Sequence, residues 1–260
     1  MHFIFFLISF HLYFFKSINK SKLIQYFYNE NFCCKYLKNL KIIISLTSWP
    51  KRIKNVATVV NSLLNQNIEP DLIELNLCII EFPNKTKDLP KELNTLLSKN
   101  KNIEINWVEK NTGVFKKIIP TIKKYYGLNY YLISVDDDII YRKDYIELLI
   151  YNIEKYKSDS FCLSKSKVIG SKMIYKSLIF ERDFFEKLTD EIINTRIDDY
   201  YINYYLTQKN KKMANYRPNN VNDIIKVYNP IFPNSRSKTG KYSIKLVKRS
   251  FELINKIKFK

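Results

Sequence analysis

Glycine, histidine and cysteine are scarce in this chain, and their scarcity excludes several kinds of site. Four glycines among 260 residues leave no G-x-G-x-x-G sequence and no P-loop, the glycine-rich turns that wrap around phosphates. Only two histidines occur, and no two of the four cysteines have C-x-x-C spacing, so neither a zinc site nor a disulfide framework is expected. This cysteine usage is typical of a reducing compartment, and we therefore expect a cytoplasmic protein.

Positive charge, by contrast, is abundant. Lys and Arg number 44 against 25 Asp and Glu, which gives a formal net charge of +19. Such an excess favours an anionic partner, although a general drift of the composition toward Lys, Asn, Ile and Tyr would produce the same charge. We expect no nucleic acid partner, because the cations are spread along the chain and no RNP-like or zinc-finger pattern occurs.

From residue 41 onward, short apolar runs alternate with helical patterns. The runs predict buried parallel strands at Lys41–Leu46, Leu72–Ile80, 102–108 and Tyr130–Val135. Helices are predicted at 53–64, Lys91–Ser98, Lys116–Tyr126, Lys143–Tyr156 and Asp199–Lys209, with Pro120 favouring a kink or a later start in the third. Strands separated by helices imply an α/β fold, with a mostly parallel sheet covered by helices on both faces.

The two ends of the chain depart from this alternation, so residues 41–230 are predicted to form the α/β domain. Within residues 1–40, Met1–Phe15 is apolar but too short for a comfortable membrane span, and it lacks the basic start of a signal peptide. The cations that follow it favour a cytoplasmic location for the remaining chain, and a loosely docked apolar start is an equal alternative. Residues 231–260 end in a basic amphipathic helix, which we expect to pack on the domain, with contact to the inner, anionic face of the cell membrane as the alternative.

Three consecutive aspartates, Asp136, Asp137 and Asp138, follow the fourth predicted strand in the stretch YYLISVDDDIIY. In open α/β sheets, ligands bind at the carboxyl ends of the strands. Alternation along an extended segment would place Asp136 and Asp138 on one side and Asp137 on the other. Two neighbouring carboxylates repel unless a cation lies between them, which favours Mg²⁺ or Mn²⁺. A solvated acidic turn is the alternative.

A family resemblance rests on six segments: IISLTSWPKRI, SLLNQNIEPDLIEL, FPNKTKDLPKEL, FKKIIPTIKKY, YLISVDDDIIYRKDYIELL and IDDYYINYYL. In order and spacing they resemble a bacterial glycosyltransferase family of the GT-A type, whose members modify cell-surface polysaccharides and are similar to family 2 transferases. The resemblance is good from Lys41 to Lys155, returns at Arg196–Leu206 and touches Asn219–Tyr228. It implies the GT-A fold, an α/β fold.

The resemblance also implies a metal-dependent donor site. A nucleotide-diphosphate sugar would lie across the carboxyl edge of the sheet, and Asp136 and Asp138 would hold the Mn²⁺ or Mg²⁺ that bridges its two phosphates. The metal would stabilise the nucleoside-diphosphate leaving group. Asp137 is assigned to the same donor site.

The loop from Thr47 to Arg52 would contact the nucleotide, with Thr47 and Ser48 as its first residues. Arg52 and Lys117 would add positive charge near the phosphates. For Arg52, solvation of a helix start is an equal alternative.

The second acidic pair, Asp198 and Asp199, matches the acidic pair that precedes an aromatic residue in this family. Its implied role is the general base that takes a proton from the hydroxyl of a saccharide or lipid-linked saccharide acceptor. Attack in line would invert the anomeric carbon. A helix N-cap is the alternative, and the two roles are compatible. We assign the base to Asp199, because Asp198 is better placed to cap.

Two departures from the family concern the acceptor side. The stretch before the second acidic pair is short and keeps only Gly170, and Tyr200 stands where tryptophan is more usual. The function implied is sugar transfer in surface polysaccharide synthesis. The alternatives are a catalytically degenerate relative that acts as a membrane-associated partner and, less favoured, a basic nucleic-acid-binding module.

Overall fold

The computed structural model describes residues 40–163, 173–215, 228–230 and 244–259. The predicted features at Met1–Phe15 and Gly170, and most of the 219–228 segment, lie outside the described residues. Contacts divide the chain into two units, Met1–Leu40 and Lys41–Lys260, and the described fold belongs almost entirely to the second.

The described strands and helices follow the predicted alternation as far as Lys155. The strands are β1 (Lys41–Thr47), β2 (Leu72–Cys78), β3 (Ile103–Val108), β4 (Tyr130–Ser134), β5 (Ile139–Tyr141), β6 (Ser160–Cys162), β7 (Met173–Lys176), β8 (Met213–Asn215) and β9 (Tyr228–Pro230). The α-helices are α1 (Val56–Leu64), α2 (Lys91–Lys99), α3 (Ile119–Lys124), α4 (Tyr145–Lys155), α5 (Arg182–Glu186), α6 (Asp190–Thr195), α7 (Asp198–Gln208) and α8 (Ile244–Asn255). Short 3-10 helices lie at Ile53–Asn55, Lys85–Asp88, Gly113–Lys117 and Ser177–Ile179.

The main sheet has seven strands in the order β3-β2-β1-β4-β7-β6-β8, and β5 pairs with β9 in a separate ribbon. Strands β3, β2, β1 and β4 are parallel, as their continuous apolar sequences predict. Strand β7 runs antiparallel to both of its neighbours, and β6 and β8 are parallel to each other. The prediction of an α/β fold with a mostly parallel sheet is therefore confirmed.

The order of these strands creates a switch point between β1 and β4. The chain moves outward from β1 through β2 to β3, and then returns to place β4 on the opposite side of β1. The connections therefore leave β1 and β4 in opposite directions, and in open α/β sheets ligands bind at the carboxyl ends of such a strand pair. The segments that follow these two strands are Ser48 onward and Val135 onward.

Both faces of the sheet are covered, as side-chain alternation along β4 shows. Tyr130 belongs to a hydrophobic cluster that contains residues of α3, α7 and α8. The next residue, Tyr131, donates a hydrogen bond of 2.8 Å from its hydroxyl to Glu154 on α4. Successive side chains of a strand point to opposite faces, so helices lie on both.

Two helices bear on sequence predictions. Helix α3 begins at Ile119, with Pro120 in its first turn. Of the two effects predicted for Pro120 on the Lys116–Tyr126 helix, a kink or a later start, the structure shows the later start. In α8, Ile254 is fully buried and Phe251 packs on Tyr200 with ring centroids 4.1 Å apart, so this end of the apolar stripe packs on the domain. Among the described helices, none is long and apolar enough to cross a bilayer.

Candidate functional site

The three aspartates lie at the switch point, directly after β4. Strand β4 ends at Ser134, and Asp137 and Asp138 form a turn that leads into β5. The predicted alternation of the three side chains is wrong, because an extended backbone does not continue through this turn. Asp137 and Asp138 instead share one cation, Arg52, while Asp136 contacts Lys117.

The loop after β1 meets the triplet at Asp137. Ser48 donates a hydrogen bond of 2.6 Å from Oγ to Asp137 Oδ2. Arg52 Nη2 lies 2.6 Å from Asp137 Oδ1 and 2.5 Å from Asp138 Oδ2. Burial raises the pKa of Asp137 to about 6, against the opposing effects of Arg52 and Ser48. The adjacent strands β1 and β4 thus bring together four of the predicted donor-site residues.

Lys117 connects the triplet with the second acidic pair. Its ammonium lies 3.5 Å from Asp136 Oδ1, 3.3 Å from Asp198 Oδ2 and 4.0 Å from Asp199 Oδ1. Burial alone would lower the pKa of this lysine. The surrounding carboxylates, Asp198 most strongly, outweigh burial and hold the pKa well above its usual range. One buried cation therefore joins carboxylates from two segments that are about sixty residues apart in the sequence.

Asp198 and Asp199 occupy the first turn of α7, where negative charge favours the helix dipole. The expected N-cap is not formed, because the N-cap residue is Ile197 and no side chain caps the helix. The side chain of Asp198 is 7% exposed and that of Asp199 is 32% exposed. Asp199 is therefore the more accessible carboxylate of the pair.

Two residues singled out in the sequence make contacts outside the acidic cluster. Thr47 donates a hydrogen bond of 2.6 Å from its hydroxyl to the carbonyl of Asn76 on β2. Tyr200 donates one of 2.8 Å to Asn255 Oδ1, so it helps to hold α8. The aromatic ring after the acidic pair therefore has a packing role in this chain.

A buried polar network below the site fixes Lys117, and the sequence analysis missed it. Ser45 Oγ donates to the carbonyl of Lys117 at 2.5 Å and lies 2.7 Å from the hydroxyl of Thr121. Asn76 donates to both hydroxyl groups at 3.0 Å, and Asn106 donates to Asn76 at 2.8 Å. The sequence did contain a signal for this network, because polar residues interrupt the apolar runs of strands β1, β2 and β3.

Tyr141 is a second residue that the sequence did not reveal. The backbone N–H of Asp136 donates to the hydroxyl oxygen of Tyr141 at 2.8 Å. Burial holds the pKa of this tyrosine well above its usual range, so the hydroxyl stays neutral. Tyr141 therefore fixes the backbone at the first residue of the triplet.

The acidic cluster combines carboxylates of the triplet and of α7 with two cations. It gathers five carboxylates, those of residues 136, 137, 138, 198 and 199, around two cations, Arg52 and Lys117. Among the described residues, no group of three or more His, Cys, Asp or Glu side chains has an arrangement suited to a metal. Mg²⁺ is commonly held by only one or two carboxylates together with substrate phosphates and water, so the donor chemistry of the triplet fits such an ion.

The fold and the site define an α/β protein with an acidic cluster at the switch point of its sheet. No family model and no curated protein matches the chain. Among solved structures, S. aureus TarS residues 1–349 has a TM-score of 0.48 at 14% identity over 68% of this chain, and its complex with UDP has 0.48 at 12% over 72%. The chain spans 58% and 64% of these TarS chains, less than two thirds of either. The 4-diphosphocytidyl-2C-methyl-D-erythritol synthase of Anaerococcus prevotii has a TM-score of 0.47 at 11% identity, over 72% of this chain and 94% of its own.

Proposed function

We propose that the chain is a metal-dependent glycosyltransferase of the GT-A type, which transfers a sugar from a nucleotide-diphosphate sugar to a saccharide acceptor. One observation carries the proposal. At the switch point between β1 and β4, the loop containing Ser48 and Arg52 meets the acidic triplet, and Lys117 links that triplet to the acidic pair of α7. A donor ligand and an acceptor hydroxyl could thus bind next to each other at one edge of the sheet.

The donor half of the site would bind the diphosphate. Asp136 and Asp138 would hold a divalent cation, which when bound would supply positive charge to the nucleoside-diphosphate leaving group. Ser48 and the loop up to Arg52 would contact the nucleotide, and the guanidinium of Arg52 matches the geometry of phosphate oxygens. Asp137 would support this loop through its hydrogen bond with Ser48.

The acceptor half would deprotonate the attacking hydroxyl. Asp199 is assigned as the general base, because its carboxylate is more exposed than that of Asp198. Asp198 is buried against Lys117 and would position that cation. A single attack of the acceptor oxygen on the anomeric carbon would invert its configuration. We further propose a polysaccharide or lipid-linked saccharide as the acceptor class.

The proposal is tested by a screen of nucleotide-diphosphate sugars with MnCl₂, in which release of the nucleoside diphosphate is measured. Asp138→Asn should lower turnover by about 100-fold or more, because it removes a carboxylate assigned to the metal. Asp190→Asn is the matched control, since Asp190 is exposed on α6 and pairs with Lys110 outside the cluster. Turnover by Asp138→Asn equal to that of the control would contradict the assignment. Calorimetry with UDP-sugars and Mn²⁺ separates the degenerate alternative, since a relative that has lost its site should give no binding heat.

A further inference from the structure

Arg52 is bound less completely than the other cation of the cluster. Its nearest contacts to Asp137 and Asp138 are both made by the same nitrogen, Nη2. Its Nε is buried without a hydrogen-bond partner among the described residues. The Arg52 side chain is also 30% exposed. The guanidinium therefore has an unused donor, and it lies close enough to solvent to meet an arriving anion.

Lys117 is fixed by comparison. Its side chain is 10% exposed and its backbone carbonyl accepts a hydrogen bond from Ser45. The two cations of the cluster therefore have different freedom to move, although both neutralise carboxylates of the triplet. The chain can release Arg52 without disturbing the buried network below Lys117.

The position of Arg52 conflicts with that of a metal ion. Its guanidinium lies against Asp138, one of the two carboxylates assigned above to the divalent cation. Two cations that share a carboxylate repel each other, so a metal gains its full attraction only after the arginine has moved. Asp137 keeps its hydrogen bond from Ser48 when this happens, so the turn stays attached to the loop after β1.

We propose that Arg52 is a displaceable counter-ion, which neutralises Asp137 and Asp138 in the ligand-free protein and transfers to a phosphate when a divalent cation and a nucleoside diphosphate bind together. The inference rests on the proposed function, since the diphosphate provides the new partner of the guanidinium. Metal and diphosphate then increase each other's affinity. The diphosphate draws Arg52 away from the carboxylates that bind the metal, and the metal neutralises the carboxylates that repel the diphosphate. A metal without the diphosphate has to displace Arg52 with no compensating contact.

The test is calorimetric titration of MnCl₂ into the full chain, without and with saturating uridine diphosphate. Arg52→Gln should bind Mn²⁺ alone about tenfold more tightly than the unaltered protein, equivalent to about 1.4 kcal/mol, because the competing cation is gone. The enhancement of Mn²⁺ binding by uridine diphosphate should shrink by a similar factor. Arg52→Met, which keeps an extended apolar stem, should behave in the same way.

Lys54→Gln is the matched control. It removes one positive charge from an exposed lysine in the 3-10 helix Ile53–Asn55, which lies just after the loop assigned to the nucleotide. Its Mn²⁺ affinity should equal that of the unaltered protein. If both folded Arg52 variants bind Mn²⁺ no more tightly than the control does, Arg52 is not a competing counter-ion and the inference falls.

The same titrations separate this inference from the proposed function. If no variant binds Mn²⁺ or uridine diphosphate, both proposals fail. If Mn²⁺ and uridine diphosphate bind and depend on Arg52 as stated, while no sugar donor is turned over, the counter-ion role is supported and transferase activity is not.

Discussion

Replacement of Lys117 by methionine tests whether the acidic cluster depends on one buried cation. Methionine keeps the length and apolar stem of the side chain and removes the charge that lies within 4.0 Å of Asp136, Asp198 and Asp199. Loss of one partner of a buried ion pair costs about 3 to 5 kcal/mol, because it leaves uncompensated charge in the interior. That is a large part of the roughly 5 to 15 kcal/mol by which domains are usually stable.

The effect should depend on pH in a defined direction. The pKa of Lys117 is raised in the folded protein, so its contribution to stability is fully present below its unfolded pKa, which includes neutral pH, and is lost only as the pH rises through the folded value. The cost of Lys117→Met should therefore be fully present at neutral and mildly alkaline pH and should shrink only at strongly alkaline pH.

Urea unfolding followed by far-ultraviolet circular dichroism measures this cost at about pH 7 and about pH 9, both below the pKa of an unfolded lysine. Lys123→Met is the matched control, because Lys123 is an exposed lysine of α3 whose ammonium lies 5.7 Å from the ring centroid of Phe185. We expect the control to change stability by less than about 0.5 kcal/mol. A Lys117→Met cost below about 1 kcal/mol at neutral pH, or one that falls by half at about pH 9, would refute the reasoning.

Two further predictions concern the surroundings of this cation. Ser45→Ala should lower the free energy of unfolding by about 1 to 3 kcal/mol in urea titrations, since the Lys117 carbonyl loses the hydroxyl that donates to it and the Asn76 amide loses one of its two acceptors. An exposed serine, Ser98, provides the control, and equal effects of Ser45→Ala and Ser98→Ala would disprove a special role for the network. Burial raises the pKa of Asp137 in the folded state from its ordinary value of 3.8 to about 6. The metal-free protein should therefore become less stable as the pH rises through this range. Asp137→Asn should remove this loss, about 3 kcal/mol for a shift of this size. An unchanged dependence of stability on pH in Asp137→Asn, measured in the presence of a chelator, would show that another group is responsible.

The sequence predicts the strands of the parallel half of the sheet because each is a continuous apolar run with its own boundaries. Lys41–Leu46 and Tyr130–Val135 match β1 and β4 to within a residue. These runs record burial on both faces, which is a local property of the residues. The position of the acidic triplet at the end of β4 follows from the same signal.

The contacts of the triplet could not be read in the same way. The alternation predicted for Asp136 to Asp138 assumed an extended backbone, and the turn at Asp137–Asp138 gives a different arrangement. The contact between Ser45 and Lys117 joins residues 72 positions apart, so it depends on how the 3-10 helix Gly113–Lys117 and β1 are brought together. The N-cap predicted for Asp198 required a helix that begins at the residue after Asp198. The helix α7 instead begins at Asp198, so Ile197 is the N-cap residue.

The antiparallel strand β7 shows a related limit. Its apolar sequence, MIYK, is four residues long and has no period that distinguishes a parallel from an antiparallel neighbour. Its direction is set by pairing with β4 and β6, which lie on either side of it. Direction is a property of the assembled sheet, whereas burial is a property of each strand.

The acidic cluster also has to be understood against the charge of the whole chain. A net charge of +19 attracts anions toward the protein over distances of up to about a Debye length. At the switch point, however, an arriving diphosphate meets five carboxylates that two cations neutralise only in part. The net charge of the chain therefore attracts the ligand from a distance, while the carboxylates repel it at the site. A divalent cation bound to the carboxylates reverses only this repulsion. An exchange of Arg52 from the carboxylate of Asp138 to a phosphate of the ligand further reduces the repulsion of the anion. It needs no new charge, because the guanidinium that neutralised Asp138 then neutralises the phosphate.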